Sequence, residues 1–239
     1  MIPVIIQAGG EGTRLRPYTT ILPKPLMPVG DMPILEIVIK QLKHYGLTDI
    51  TITTGHLAHL IQAFFGDGSQ WGVSIKYVRE NEPLGTIGPI RLIDRPATPF
   101  IVMNGDILTD LNYLELVKYH QSHRQKLTVS VYEGKVPVSL GVVGFDADNC
   151  IVKFEEKPTL RFWSSMGIYV FSPECWDMVP ASRYFGFDSL MAEILKSAAV
   201  AKVYPWHGEW LDIGRPEDYE RASRVFEAEH VKFLPGEAK

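Results

Sequence analysis

The chain has 239 residues, of which 46% are hydrophobic and 22% are charged, as is typical of one globular α/β domain. Its formal net charge of −4 argues against a nucleic-acid partner, because general nucleic-acid binders display excess positive charge. The two cysteines form no Cys-x-x-Cys pair and no apolar stretch is long enough for a membrane span, so we expect a cytoplasmic protein with no membrane partner, disulfide scaffold or structural zinc.

Short apolar runs alternate with amphipathic segments over the first half of the chain. The runs predicted as strands are residues 4–6, 50–54, 73–78 and 100–103. The segments predicted as the intervening helices are residues 34–42, 57–65, 87–93 and 114–123. This order predicts an α/β fold with a doubly wound, mainly parallel, Rossmann-like sheet that carries helices on both faces.

The second half has a less regular pattern, in which strands follow one another closely. These predicted strands are residues 127–131, 142–145, 152–154 and 168–171, and they indicate a mixed-sheet extension of the core, mainly within residues 127–215. Helices at residues 190–196 and 216–228 complete a predicted single domain over residues 1–228. We expect residues 229–239 to form a short loose tail, and the absence of hexapeptide repeats predicts no left-handed β-helix domain.

A glycine-rich turn with two cations follows the first predicted strand. Gly9, Gly10 and Gly12 are expected to take positive φ angles and to present backbone N–H groups to an anion. Arg14 suits bidentate contacts with phosphate oxygens, whereas Lys24 supplies a compact point charge. The segment therefore predicts a polyphosphate site.

Other glycine and catalytic signatures do not match. The turn lacks the Gly-x-Gly-x-x-Gly spacing of dinucleotide-binding proteins, and the chain has no Gly-Lys-Ser or Gly-Lys-Thr of a P-loop. No Gly-x-Ser-x-Gly elbow occurs, so covalent catalysis has no candidate nucleophile. The histidines show no metal-ligand spacing.

A series of motifs resembles the sugar-phosphate nucleotidyltransferases, or NDP-sugar pyrophosphorylases. The first two motifs are Gly-Gly-x-Gly-Thr-Arg-Leu-x-Pro-x-Thr and Pro-Lys-Pro-Leu-x-Pro-Val. The others are residues 82–86 (Glu-Pro-Leu-Gly-Thr), 104–106 (Asn-Gly-Asp), 155–158 (Glu-Glu-Lys-Pro), 167–169 (Gly-Ile-Tyr) and 210–214 (Trp-Leu-Asp-Ile-Gly). They occur in the family's order and cover residues 1 to about 222.

The glycine turn and the resemblance together predict a nucleotide-binding set. This set is Gln7, Ala8, Gly9, Gly10, Gly12, Thr13, Arg14, Lys24, Glu80, Gly85 and Thr86. The predicted catalytic residues are Arg14, Lys24 and Asp106. Three of the motifs follow predicted strands, and ligands of open parallel sheets gather beyond the carboxyl ends of the strands.

Two carboxylates are candidates for binding Mg²⁺. Asp106 follows a predicted strand beside a glycine, where a carboxylate can coordinate a hard cation that neutralises phosphate oxygens. Apolar residues flank Asp212, which would be buried at a cost unless it had a partner. A shared cation removes that cost, and the resemblance assigns both residues this role.

A second group is expected to bind the sugar 1-phosphate. Lys157 can hold a phosphate while Glu156 accepts hydrogen bonds from sugar hydroxyls. The resemblance places Gly141 and Gly167 where backbone atoms meet the sugar. It also makes the extension over residues 127–215 the sugar-binding part.

The resemblance implies nucleotidyl transfer from an NTP to a sugar 1-phosphate, with Mg²⁺ as cofactor. The resemblance places Glu80 on the segment that reads the base in related enzymes, and a carboxylate can accept from the N–H donors of guanine. GTP is therefore the preferred nucleotide, as in guanylyltransferases acting on mannose or heptose 1-phosphate.

Alternatives remain open from the sequence. They are a member of the same family that uses dTTP, UTP or CTP, a non-catalytic NDP-sugar-binding regulatory subunit, and a glycosyltransferase. The glycosyltransferase would need an Asp-x-Asp metal motif, and the nearest such sequence, at residues 146–148, lies in a predicted turn. Gln7, Ile87 and the Ser-Ser-Met at residues 164–166 depart from the common pattern, and the last weakens the sugar assignment. The oligomeric state is open.

Overall fold

A computed structural model describes residues 2–123, 125–197 and 200–236. Its strands are β1 (Val4–Ala8), β2 (Pro28–Val29), β3 (Met32–Pro33), β4 (Asp49–Thr54), β5 (Ser74–Arg79), β6 (Phe100–Asn104), β7 (Ile107–Thr109), β8 (Leu127–Pro137), β9 (Val142–Phe145), β10 (Ile151–Glu155), β11 (Thr159–Phe171), β12 (Ala201–Trp206) and β13 (Trp210–Asp212). Its α-helices are α1 (Ile34–His44), α2 (Ala58–Phe65), α3 (Tyr113–His123), α4 (Pro173–Met178), α5 (Phe187–Lys196), α6 (Pro216–Ala228) and α7 (His230–Phe233).

The central sheet has seven strands in the order β12-β8-β11-β6-β1-β4-β5. Strands β6, β1, β4 and β5 run parallel to one another, and β8 runs parallel to β12, whereas β11 is antiparallel to both β6 and β8. The predicted fold, a mainly parallel sheet with a mixed extension, is confirmed.

Burial of the sheet on both faces explains why its central strands are apolar runs. In β1, Val4 and Ile6 pack in one hydrophobic cluster with Leu35 of α1, whereas Ile5 packs in a second cluster with Leu190 of α5. Successive side chains of a strand point to opposite faces, so helices cover both sides of β1. A third cluster joins α1 to β13 and α6.

The antiparallel pair β8 and β11 is longer than predicted. Its inner part, predicted as residues 127–131 and 168–171, is buried, but pairing continues outward to Thr159 opposite Pro137. The outer part was not predicted because the apolar run ends where the strands become exposed. Strands β9 and β10 form a separate two-stranded sheet.

The predicted helix at residues 87–93 is wrong. The segment contains a short 3-10 helix, Gly88–Leu92, with Pro89 in its first turn. The backbone N–H groups of Ile87 and Gly88 both donate to the carbonyl oxygen of Phe185, at 3.1 and 2.9 Å. Glycine and proline disfavour a longer α-helix, and these tertiary bonds fix the backbone instead.

The predicted loose tail is also wrong for its described part. Residues 230–233 form α7, and the side chains of Phe233 and Leu234 are buried in the third cluster. The buried side-chain amide of Gln41 donates from Nε2 to the carbonyl oxygen of Phe233 at 2.7 Å. Residues 237–239 of the predicted tail lie outside the described residues.

Several short elements were not predicted, namely α4, β12 and the small pairs β2 with β3 and β7 with β13. Strands of two or three residues carry no periodicity that a sequence pattern can show. None of the helices in the described part of the chain has the length and apolar composition that a bilayer crossing requires.

Candidate active site

A cleft of about 670 Å³ opens beyond the carboxyl ends of β1, β4, β5 and β6. Every residue of the predicted nucleotide-binding set lines it, together with Asp106. These residues come from separate segments, which the parallel strands bring to the same edge of the sheet.

The glycine turn lies against the loop that follows β5. Only Gly12 of its three glycines has a positive φ, 61°, so the positive φ angles expected at Gly9 and Gly10 are wrong. Gly9 lies close to Glu80, and a Cβ atom on Gly9 would collide with Oε1 and push the end of the Glu80 side chain away. A Cβ on Gly10 would meet no atom within 4 Å, which leaves the turn open to the cleft at that point.

Two hydrogen bonds, one from its backbone and one to its side chain, hold Glu80 just after the end of β5. Its N–H donates to the carbonyl oxygen of Thr54 at 2.8 Å, and its Oε2 accepts from the N–H of Leu84 at 3.2 Å. Burial raises the pKa of the Glu80 carboxyl, and the N–H of Leu84 opposes that rise. The carboxyl therefore sits at a fixed position in the cleft with Oε1 toward Gly9.

A hydrogen bond of the Gln7 side chain explains why this position near the end of β1 is polar, where related sequences have an apolar residue. Its side-chain Nε2 donates to the carbonyl oxygen of Thr86, which ties β1 to the loop that follows β5. Gly85 in this loop has a φ of 82°, and a Cβ there would lie 2.8 Å from the carbonyl oxygen of Phe185. The loop is thus fixed from two sides.

Strand pairing brings the two predicted metal ligands together. Strand β13 pairs antiparallel with β7, with Asp212 opposite Ile107, and the N–H of Ile213 donates to the carbonyl oxygen of Asp106 at 3.2 Å. Lys24 lies between the two carboxylates. Its Nζ forms an ion pair with Oδ2 of Asp106 and lies 3.6 Å from Oδ1 of Asp212.

The Asp106 carboxyl has an unsatisfied oxygen. Its Oδ1 is buried and has no hydrogen-bond partner. Burial raises the pKa of Asp106, and the charge of Asp212 raises it further, while Lys24 opposes both effects. A buried polar atom without a partner is costly in a folded protein, so this oxygen is available for a ligand.

The two carboxylates fit a divalent cation that is shared with substrate. The described residues contain no cluster of three or more His, Cys, Asp or Glu side chains that could hold a metal by themselves. Mg²⁺ differs from zinc in this respect, because it keeps several waters and is commonly bound by one or two carboxylates together with substrate phosphates. The unpartnered Oδ1 of Asp106 and the nearby Asp212 match that donor set.

Arg14 is an exposed cation at the same end of the cleft. Its two terminal nitrogens lie 3.5 Å from the position of a Cβ on Gly214, two residues after Asp212. Within the described ranges, the Arg14 side chain has no hydrogen bond or ion pair, so its donors are free for an anion.

The predicted sugar-phosphate residues are not all brought to the cleft. Gly167, with a φ of 71°, lies in a β-bulge of β11, and a Cβ there would lie 2.7 Å from Nδ2 of the cleft residue Asn104. In contrast, Gly141, Glu156 and Lys157 flank the separate pair β9 and β10 and do not line the cleft. Nζ of Lys157 lies 3.9 Å from Oε1 of Glu156, and a Cβ on Gly141 would lie 3.2 Å from Oε2 of the same carboxylate.

Several cleft residues were not singled out from the sequence. Gly55 and His56 follow β4, and the rule that ligands gather beyond strand ends could have found them. Tyr184 reaches the cleft from the loop before α5 because the neighbouring Phe185 pairs with Leu84, with its N–H 2.8 Å from that carbonyl oxygen. No local signal indicates this contact between residues a hundred positions apart.

Comparison with known proteins agrees with this geometry. The chain is 32% identical to the mannose-1-phosphate guanylyltransferase of Mycobacterium tuberculosis, over 231 residues and 93% of its own length. It is also 32% identical, over 232 residues, to a probable mannose-1-phosphate guanylyltransferase of Oryza sativa. It is 31% identical to the UTP–glucose-1-phosphate uridylyltransferase of Synechocystis, over 95% of its length. The chain spans 64% of the length of each of these three relatives.

A solved structure and a family model lead to the same assignment. The structure of HddC from Yersinia pseudotuberculosis complexed with GMP-PN superposes with a TM-score of 0.73 at 28% identity, covering 95% of this chain and all of the other. The family model described as "Nucleotidyl transferase" matches residues 3–229. The chain therefore belongs to the nucleotidyl transferase family.

Proposed function

We propose that this protein transfers a nucleotidyl group from an NTP to a sugar 1-phosphate, forming an NDP-sugar and pyrophosphate. The observation that carries the proposal is the arrangement of Lys24 between Asp106 and Asp212, beside the unpaired Arg14 and the glycine turn. Relatives named for such transfers, with mannose 1-phosphate or glucose 1-phosphate as acceptor, support it.

In this proposal the triphosphate binds along the glycine turn. Backbone N–H groups near Gly10 and Gly12 contact its oxygens, and the free donors of Arg14 hold the two phosphates that leave. Lys24 neutralises charge at the reacting phosphates. Its present partners, Asp106 and Asp212, keep Nζ inside the cleft before substrate arrives.

The reaction is a single displacement at the α-phosphorus. An oxygen of the sugar 1-phosphate forms a bond to this phosphorus, the bond to the bridging oxygen of the β-phosphate breaks, and its electron pair leaves with pyrophosphate. Because the attacking oxygen is already anionic, no general base is needed. The protein contributes position and charge neutralisation, which dominate phosphoryl-type transfers.

Asp106 and Asp212 are the residues that would hold Mg²⁺. When bound there, the cation would supply positive charge at the α-phosphate oxygens and lower the repulsion between the two anions. The support in this chain is the unpartnered Oδ1 of Asp106 next to a second carboxylate.

The sugar 1-phosphate is assigned to Gly141, Glu156, Lys157 and Gly167. Gly167 is supported by its position beside Asn104 at the edge of the cleft. The other three lie outside the cleft, and their assignment rests on the sequence resemblance. The identity of the sugar stays open.

The preferred nucleotide is GTP. Glu80 presents a fixed, half-buried carboxyl in the cleft, and guanine offers adjacent N–H donors that such a group can accept from. A relative named as a guanylyltransferase and the neighbour that contains GMP-PN support this choice. The uridylyltransferase relative keeps UTP as the second candidate.

Replacing Glu80 with glutamine tests this base assignment. The amide turns one acceptor oxygen into a donor, so we expect the preference for GTP over ATP and UTP to fall by about 1–3 kcal/mol in kcat/KM while turnover persists. The measurement is pyrophosphate release with each NTP. Asp49→Asn, which removes a carboxylate at the opposite end of β4, is the matched control and should leave the preference unchanged.

The wild-type enzyme assayed with five NTPs against several sugar 1-phosphates separates the alternatives. Pyrophosphate released only when both substrates are present supports nucleotidyl transfer. Nucleotide binding without product across the panel favours a regulatory subunit. The glycosyltransferase has weaker support, because Oδ1 of Asp146 in the Asp-x-Asp sequence accepts from the N–H groups of Asp148 and Cys150 in a turn outside the cleft. A cytoplasmic location stays a prediction of the sequence.

A further inference from the structure

One histidine, His56, contacts two parts of the loop that follows β1. It lies two residues after β4 and lines the cleft. Its backbone N–H donates to the carbonyl oxygen of Gly9 at 3.3 Å. Its ring nitrogen Nε2 lies 3.2 Å from the carbonyl oxygen of Thr19. A carbonyl oxygen can only accept, so we assign the ring hydrogen to Nε2, which donates it to Thr19.

Thr19 extends this contact to the glycine turn. The residue is buried, and its Oγ1 donates to the carbonyl oxygen of Gly12 at 2.8 Å. The same carbonyl oxygen accepts from the N–H of Leu15 at 2.9 Å. A Cβ on Gly12 would lie 2.9 Å from Cγ2 of Thr19, so the threonine also packs against the turn. A continuous set of contacts therefore runs from His56 through Thr19 to Gly12.

The residues on either side of His56 bring it against the turn. A Cβ on Gly55 would lie 2.7 Å from the carbonyl oxygen of Gly9, so only a glycine allows this approach of the two backbones. Leu57 has a φ of 51°, in the left-handed region that residues with a Cβ rarely adopt. Such strained conformations persist where surrounding contacts enforce them, and they are common where a protein holds a ligand. His56 is thus held against the turn at a cost in local backbone energy.

We propose that His56 and Thr19 form a clamp that positions the glycine turn for the triphosphate of the nucleotide. The inference rests on the triphosphate contact proposed above for this turn. Glycines leave the backbone flexible, whereas an anion site made of backbone N–H groups needs those groups at fixed positions. The clamp holds both ends of the turn, because His56 bonds to Gly9 and Thr19 bonds to Gly12. His56 acts as a positioning residue, through a hydrogen bond that needs no charge on its ring.

Losing the clamp should weaken binding of the nucleotide and leave binding of the sugar 1-phosphate unaffected. With the turn free, its N–H groups must be ordered when the phosphates bind, and that ordering lowers affinity. The phosphates are common to all NTPs, so GTP and UTP should lose affinity by the same factor. A change in the base contact proposed for Glu80 would instead give a loss that depends on the base.

Hydrogen exchange of the free protein tests the clamp without any substrate. The reporter is the N–H of Leu15, which donates to the Gly12 carbonyl oxygen that Thr19 also holds. His56→Leu removes the ring donor and should speed exchange at this amide by roughly three- to tenfold, the effect of losing about one hydrogen bond. His56→Gln keeps an N–H donor on a side chain of similar reach and should restore slow exchange. His59→Leu, which changes an exposed histidine on α2, is the matched control and should exchange as the wild type does.

Equilibrium dialysis with Mg²⁺ and either GTP or UTP, without a sugar 1-phosphate, tests the consequence for binding. The dissociation constants of both nucleotides should rise by roughly three- to tenfold in His56→Leu and in Thr19→Val, which removes Oγ1 but keeps the shape of the side chain. The double variant should lose little more than His56→Leu alone, because both changes break the same set of contacts. In steady-state assays the KM for the NTP should rise in the same way, while the KM for the sugar 1-phosphate should change by less than about twofold.

Thermal melting shows whether the variants are folded, and Thr19→Val carries the test by itself if His56→Leu does not fold. Exchange at Leu15 that stays at the wild-type rate in His56→Leu and Thr19→Val overturns the inference. Nucleotide affinity that is unchanged despite faster exchange overturns it too, as does an equal loss in His59→Leu. A wild type that binds nucleotide through an intact clamp but transfers nothing would overturn the proposed function and leave the clamp standing.

Discussion

Replacing Asp106 with asparagine is expected to lower turnover by at least about a hundredfold, the scale of losing a positioned electrostatic group. The change keeps the size of the side chain but removes the charge that pairs with Lys24, and it leaves a weaker ligand for a divalent cation. Steady-state rates at saturating substrate and varied Mg²⁺ measure the effect. The Mg²⁺ concentration required for half-maximal rate should rise.

The matching change at Asp212 distinguishes a catalytic role of its carboxylate from a structural one. Asp212→Asn should also lower turnover by about a hundredfold, because its carboxylate shares Lys24 with Asp106. Both variants should melt within a few degrees of the wild type. A variant with near-normal rate and unchanged Mg²⁺ dependence would show that its carboxylate has only a structural role, such as capping a turn.

Replacing Arg14 with leucine is expected to lower kcat/KM by roughly a hundredfold without loss of stability. Its guanidinium has no intramolecular partner among the described residues, so removing it breaks no bond of the free protein. It does remove the bidentate donors proposed for the departing pyrophosphate. Arg14→Lys should give an intermediate rate, because the charge remains but the fork geometry is lost.

Arg16 supplies the control for Arg14. It is exposed two residues away and forms an ion pair with Glu11 at 3.4 Å, outside the set assigned to phosphate. Arg16→Leu should change kcat/KM by less than about threefold, since exposed ion pairs contribute little. Equal losses in the two leucine variants would instead indicate a general effect of surface charge and contradict a specific role for Arg14.

The central sheet and the nucleotide-binding part of the site could be predicted because the sequence patterns that indicate them are local. Residues 4–6 are apolar because β1 is buried on both faces, and the glycine turn follows this strand directly in the sequence. The parallel strand order then places the turns after β1, β5 and β6 at one edge. These facts follow from periodicity and spacing alone.

The rest depends on contacts between distant parts of the chain. Asp212 reaches Lys24 only because β13 pairs with β7, strands of three residues that leave no pattern in the sequence. The helix expected at residues 87–93 fails for a similar reason, since Phe185 accepts both of its first N–H groups. Phe233 is buried because Gln41 and the third cluster hold it, and its local sequence indicates only a chain end.

The predicted sugar-phosphate residues show a different limit of prediction from sequence. Motif order identified Gly141, Glu156 and Lys157, but local sequence does not show that they flank a hairpin separate from the central sheet. The same stretch has alternating apolar residues that resemble ordinary half-buried strands. Only the structure shows that Phe145 and Ile151 have no cover within the described chain.

The most direct test of the account follows the α-phosphate of the nucleotide. GTP labelled at the α-phosphorus is incubated with Mg²⁺, the protein and a sugar 1-phosphate, and the labelled products and pyrophosphate are quantified. The account predicts label in an NDP-sugar with one pyrophosphate per transfer, and no release when the sugar 1-phosphate is omitted. Label in GMP or GDP that forms at the same rate without a sugar 1-phosphate would contradict it, as would failure of every NTP and sugar 1-phosphate pair to react.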